Sequence, residues 1–295
     1  MHSPKMKKLL LSLVVAASVF ATPAYCQLKL PALSPTARIS QDFSLSTIDI
    51  TYSRPSMRGR RIFGDIIPFG KVWRTGANAA TKIKIGEELD FAGVRVKPGE
   101  YAIYTIPNKD KWTVVINMGT SPWTAEGFSK EDDIARISVR ADYIPTEVQT
   151  FTINITDITL NTCKLEMVWE HLKVAIPITA RNNETIEANI DKAINQDQPQ
   201  PYYKAASYYF ETNQKTELAR NYVNKAVEAD PKAFYAWYLK ARIEKKMGNF
   251  DEAVMAAKKS MEMAKGNANE NEYLHNNQKI IDEIYSKSRP KQIDE

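Results

Sequence analysis

Six cationic side chains stand between Arg54 and Arg74: Arg54, Arg58, Arg60, Arg61, Lys71 and Arg74, against the single acid Asp65. Guanidinium groups take carboxylate, phosphate or sulfate through paired hydrogen bonds. Phe63, Phe69 and Trp73 are interleaved with them and offer faces on which a sugar or another planar group could stack. Gly59, Gly64, Gly70 and Gly76 keep the loops tight and let backbone amides approach a ligand. Arg54, Trp73, Arg74 and Asn78 are therefore candidate contacts for an anionic or carbohydrate-like ligand, joined by Trp123 in the loop GTSPWTAEGF. The same letters fit a structural corner, in which an arginine is held by carbonyls, the tryptophan plugs the core and the asparagine folds a turn. Arg58, Arg60 and Arg61 are expected at the surface. The ligand reading requires Arg54 and Arg74 to converge on one solvent-reachable concavity.

No constellation for covalent or acid–base chemistry accompanies this cluster. His171 and His275 are scattered, and a zinc site needs three or four good ligands, so neither a metal nor a cofactor is expected. Cys163 falls on the apolar face of a strand and reads as a buried, inert thiol. Glu131, Asp132 and Asp133 in SKEDDIAR read as a solvated turn before a strand rather than as a calcium or acid–base site. The competing enzymatic reading is a hydrolase of envelope or dietary polymer. It requires two carboxylates facing each other across a cleft at about 5 to 10 Å.

The chain of 295 residues opens on a targeting pattern: Lys5, Lys7 and Lys8, the apolar run LLLSLVVAASVFA, then AYC. The run is shorter than the roughly twenty apolar residues of a membrane span. Residues 1–26 are expected to be removed, leaving a periplasmic or secreted protein that starts near Gln27. Lipid attachment at Cys26 is the alternative, and the bulky Tyr25 before it argues against this. The formal net charge of +5 falls to +2 without the three lysines, which gives no electrostatic footprint for nucleic acid. Cys163 is then the one remaining cysteine, so packed cores rather than a disulfide must hold the fold.

From Ser34 to Ala180 the pattern has period two. In TFTINITDI, Phe151, Ile153 and Ile155 alternate with polar residues. CKLEMVWE sets Cys163, Leu165, Met167 and Trp169 on one face. STIDITYS, TKIKI, EYAIYTI, KWTVVIN, ARISVRA and KVAIPITA add strands, and PNKD turns one pair into an antiparallel hairpin. Tyr101 and Tyr104 fall on opposite faces of their strand, so at most one of them lines any groove. About ten short strands at this spacing predict an all-β antiparallel sandwich or jelly-roll-like domain over 27–181. Pro177 predicts an edge position for the last strand.

After Arg181 the period becomes 3.6, with Ile186, Ile190 and Ile194 on one helix face, and a helix plus linker fills 182–200. Over 201–286 residues recur at a spacing of 34: Tyr203 with Trp237, Thr216 with Phe250, Ala219 with Ala253. The period resembles the tetratricopeptide repeat, in which paired helices stack through small residues. The second repeat fits best, and the first has Gln214 where a turn glycine belongs. Pro231 is placed at a helix start, and a helix around EYLHNNQKIIDEI covers the open end. Tyr203 and Trp237 are candidate contacts for a protein partner or a second copy. Residues 287–295 are expected to be disordered.

QLKLPALSP, YSRPSMRGRRIFG, IPFGKVWRTGANAATKI, PGEYAIYTIP and WTVVIN together resemble the DUF2911 domain proteins of Bacteroidetes, in the order and spacing of that family. The resemblance implies an exported β-rich domain and supplies no catalytic residues. An ATP-dependent synthetase finds no support, since no glycine-rich phosphate loop precedes a helix. Two function classes follow: a binding protein, with ligand contacts on the β domain and protein contacts on the helical tail, or the hydrolase. A scaffold acting through the tail alone is a third.

Overall fold

The computed structural model describes residues 30–119, 127–196 and 201–288. Its β part holds β1 (Thr36–Phe43), β2 (Ser46–Ser53), β3 (Thr81–Ile85), β4 (Leu89–Phe91), β5 (Val94–Val96), β6 (Gly99–Ile106), β7 (Lys111–Asn117), β8 (Asp133–Thr156) and β9 (Thr162–Ala180). The strands run antiparallel in the order β1-β2-β3-β6-β7-β8-β9-β4-β5. Alternation places Ile48, Ile50 and Tyr52 of β2 inside with Phe151, Ile153 and Ile155 of β8. The Tyr52 hydroxyl joins the two layers, accepting from Ile153 N at 3.0 Å and donating to Ile153 O at 3.3 Å. The hairpin at PNKD forms as read, with Ile106 opposite Thr113.

Two strands differ from the sequence reading. ARISVRA and TFTINITDI are not separate strands but the ends of β8, which is 24 residues long. CKLEMVWE and KVAIPITA likewise fuse into the 19-residue β9. Register shifts between Tyr143 and Val148, and again between Val148 and Thr152, let β8 bend without breaking. Its first part pairs with β7 and its second with β9, so one chain segment belongs to both layers. β9 pairs with β8 as far as Val174 and with β4 from Ile178, so Pro177 falls between the two ladders. It sits just past the last β4 pair, Phe91 with Ile178, where its carbonyl accepts from Ala92 N at 2.9 Å and no N–H is required.

Cys163 is 2% exposed among these side chains, and burial pushes its thiol up to about 12. A thiol held neutral in this way should resist iodoacetamide at about pH 8 in the native protein and react once denaturant is added. Peptide mass mapping that found Cys163 alkylated in the folded chain would contradict its burial.

The tail holds α1 (Asn183–Ile194), α2 (Tyr202–Glu211), α3 (Thr216–Ala229), α4 (Phe234–Met247), α5 (Phe250–Met263) and α6 (Glu270–Ser288). Thr216 and Phe250 each open a helix, and Ala219 and Ala253 are fully buried, so the 34-residue spacing marks equivalent positions. α1 packs Ile190 and Ile194 against the first pair, and α6 covers the second with Ile280, Ile281 and Ile284. Gly248 caps α4 in the left-handed region at φ 83°. At Gln214 the first repeat uses its neighbours instead, Asn213 at φ 57° and Lys215 at φ 41°. Pro231 lies in the turn ahead of α4 rather than in its first position, and its carbonyl accepts from Trp237 Nε1 at 3.0 Å. α6 runs through Ser288, one residue beyond the start of the segment read as disordered.

Candidate functional site

The long loop between β2 and β3 is laid back onto the sandwich by three ties. Phe151 N donates to Pro55 O at 2.9 Å and Met57 N to Gln149 O at 2.8 Å, so the chain leaving β2 extends the pairing to β8. The Glu170 carboxylate then accepts from Ile62 N at 2.9 Å and Phe63 N at 3.0 Å. Finally Trp73 and Thr105 exchange both backbone hydrogen bonds. Gly64 is required within this loop: it lies at φ +88°, and a Cβ there would stand 2.7 Å from the Phe69 ring.

These ties set different surroundings for the residues that the sequence grouped. Arg54 is held by β8, its Nε donating to Phe151 O at 3.2 Å and its Nη2 to Thr152 Oγ1 at 2.8 Å. Arg54 is thus engaged within the sandwich, while Arg74 follows Trp73, which pairs with Thr105 of β6. Trp73 offers no stacking face, since it is 7% exposed and its Nε1 donates to Gly76 O at 2.9 Å. Phe63 is likewise part of the core. Asn78 folds its own corner at φ 58°, donating to Ser53 Oγ at 3.2 Å and to Ser34 O at 3.3 Å. Of the three expected surface arginines, Arg58 and Arg60 bind backbone carbonyls of Leu33, Met57 and Ser56 while remaining exposed. Trp123 lies outside the described residues, as do residues 1–26 with Cys26.

The acidic run resolves into a turn. Asp133 accepts from Asn117 Nδ2 at 2.9 Å and Arg136 Nε at 2.6 Å, while Glu131 and Asp132 face solvent. His171 stacks on Tyr143 at 5.4 Å and bonds Ile144 O through Nδ1. Among the described residues no group of three His, Cys, Asp or Glu stands close enough to hold a metal, and no helix is long and apolar enough to cross a membrane. Glu88 and Glu184 line a groove of about 480 Å³ together with Arg95 and Arg181.

The tail carries two further grooves. One, of about 460 Å³ between α3, α4 and α5, has Trp237, Met255 and Lys240 in its lining. At its edge Glu244, 1% exposed, accepts from Arg220 Nε at 2.9 Å and Asn249 Nδ2 at 2.7 Å, and the carboxylate raises the guanidinium pKa in turn. Tyr203 lines neither groove and packs edge-on against Tyr235 at 4.8 Å. The other groove, of about 550 Å³, crosses α2, α4 and α6. Arg242, Lys245, Lys246 and Lys279 surround Phe210 and Tyr238 there. The Arg242 guanidinium carbon lies 4.6 Å from the Phe210 centroid and 5.7 Å from that of Tyr238. The sequence reading missed both this basic groove and the tie made by Glu170. The only signal for the groove was the recurrence of cations one helical turn apart in ARIEKK, which an exposed helix also shows.

Fold and surfaces define a two-part protein: an antiparallel sandwich joined to a short helical-repeat array of the kind that carries protein contacts, with an open basic face. Residues 34–178 match the family described as protein of unknown function (DUF2911), and residues 199–233 and 234–267 each match the tetratricopeptide repeat. The β part is thus a DUF2911 domain, with a pair of tetratricopeptide repeats after it. No curated protein matches it.

Proposed function

We propose that the chain is an exported, non-catalytic binding protein whose helical tail grips an acidic stretch of a protein partner and whose β domain takes an anionic ligand. The observation that carries this reading is the groove across α2, α4 and α6, where four cations border two aromatic rings and Glu283 is the one carboxylate in the lining. Arginine and aromatic side chains are the types that anchor protein interfaces. Here Arg242 is preordered by its two rings and by Glu211 at 2.6 Å, which lowers the entropy lost on binding. Lys245 is bonded to Glu283 and Lys246 to Asn213, so an incoming carboxylate exchanges for an existing partner at those positions. Export is supported by the basic and apolar N-terminal pattern.

Anisotropy of a fluorescent oligoglutamate peptide tests the tail. Binding should weaken as salt rises, and Arg242→Glu with Lys279→Glu should weaken it by at least about tenfold, because like charges across an interface repel. Equal affinity of the native and reversed proteins, or equal binding of oligolysine, would remove the acidic-partner reading.

A further inference from the structure

Trp73 N donates to Thr105 O at 2.7 Å and Thr105 N to Trp73 O at 2.9 Å, a hydrogen-bonded antiparallel pair. Arg74 follows Trp73 and Tyr104 precedes Thr105, so the two residues flank this isolated antiparallel bridge on the same side. Trp73 turns into the core, so Arg74 points to the other face of the first sheet. Tyr104 lies on that face with Ala80, Ala102 and Val115, and Val72 and Phe128 pack around them. The small alanines keep the floor low beside the two longer side chains. Across β7, Val115 stands opposite Tyr104 and Arg136 opposite Val115. The Phe128 ring meets Tyr104 edge-on at 5.0 Å and carries the Arg136 guanidinium 6.0 Å from its centroid.

Two donors on this face have no acceptor among the described residues. Tyr104 is 0% exposed, and its hydroxyl makes no hydrogen bond among the described residues. Arg74 Nε is buried and unpaired, and the guanidinium forms no ion pair with any described residue. Burial raises the Tyr104 pKa above its ordinary value, which keeps the hydroxyl protonated and able to donate. A guanidinium donates only. Buried polar groups are nearly always bonded, and two adjacent unsatisfied donors, one cationic, define the complement as an acceptor carrying negative charge. Arg54 does not meet this description, because its Nε and one Nη2 donor are already bonded to β8.

We propose that this face of the first sheet is an oxyanion site, in which Arg74 Nε–H and the Tyr104 hydroxyl bind one carboxylate, phosphate or sulfate group. The inference rests on the reading that the β domain binds an anion, and it moves the contact from the Arg54 corner to the Arg74–Tyr104 pair. Arg74 supplies charge and direction, and Tyr104 supplies a neutral donor in a site from which water is excluded.

The test is thermal unfolding of the purified protein with benzoate, inorganic phosphate and inorganic sulfate in separate arms, each against chloride at matched ionic strength. At least one anion should raise the native protein's Tm as binding to the folded state requires. Tyr104→Phe and Arg74→Lys should each weaken the dissociation constant by about tenfold or more, the loss expected for one hydrogen bond to a charged group. Arg74→Lys keeps the charge, so a loss there identifies the guanidinium geometry rather than bulk attraction. Without anion, Tyr104→Phe should leave Tm unchanged or raise it, because the hydroxyl it removes has no partner. A lower Tm in that variant would show the hydroxyl bonded within the protein and overturn the site. Equal anion responses in the native protein and both variants would overturn the site while leaving anion binding by the chain intact. No response of the native protein to any of the three anions would overturn both.

Discussion

Replacing Trp73 with alanine should lower the unfolding free energy by about 3–5 kcal/mol, the range for truncating a buried large aromatic side chain. The ring is the hub of the sandwich core. It stacks on Trp169 at 5.9 Å and 24°, and meets Phe151 at 5.0 Å, Phe63 at 6.1 Å and Trp112 at 6.3 Å edge to face. Alanine removes these contacts together and strands the Gly76 carbonyl that the indole N–H satisfies. The neighbours are anchored on four separate segments, so they have little freedom to close the cavity. Trp73→Phe should cost less, since it keeps most of the apolar contact and loses the hydrogen bond. Guanidinium unfolding followed by tryptophan fluorescence reads both. A loss of less than about 1 kcal/mol for alanine, the scale of an ordinary surface substitution or little above it, would mean that the ring is not packed and is free for a ligand.

The second large effect lies in the tail. Arg220→Met leaves the Glu244 carboxylate, 1% exposed, with Asn249 as its remaining side-chain partner. The expected cost is about 2–4 kcal/mol, below the roughly 3–5 of a fully enclosed pair because the Arg220 side chain is 37% exposed and water screens it. The double variant Arg220→Met, Glu244→Met should recover most of this loss, since two apolar groups need no partner. Recovery identifies the stranded charge as the cause. A double variant as unstable as the single would instead assign the cost to lost packing of the arginine stem.

The two residues show where sequence reasoning works and where it stops. Period-two alternation made the sandwich legible because each strand has one buried face, and the 34-residue spacing made the repeats legible because Ala219 and Ala253 must both be small where helices meet. Alternation could not show that two pairs of strands are continuous, since a bulged strand carries the same local break as a turn. The cluster from Arg54 to Arg74 looked like a single site because its cations are close in sequence. In the fold, Arg54 reaches Phe151 and Thr152, nearly one hundred positions away, while Arg74 follows a tryptophan paired with Thr105 of β6. Glu170 carries no local signal of its role, yet it closes the loop at Ile62 and Phe63.

The sequence by itself determined the class of each half, their order and the place where one pattern gives way to the other, because hydrophobic period and turn chemistry are local properties of the chain. Which of its arginines, tryptophans and carboxylates are committed within the molecule was decided by the tertiary structure alone. That commitment depends on the acceptors and rings that long-range pairing brings to each side chain. It buries Trp73, holds Arg54 against β8, and leaves Arg74 Nε and the Tyr104 hydroxyl without an acceptor among the described residues.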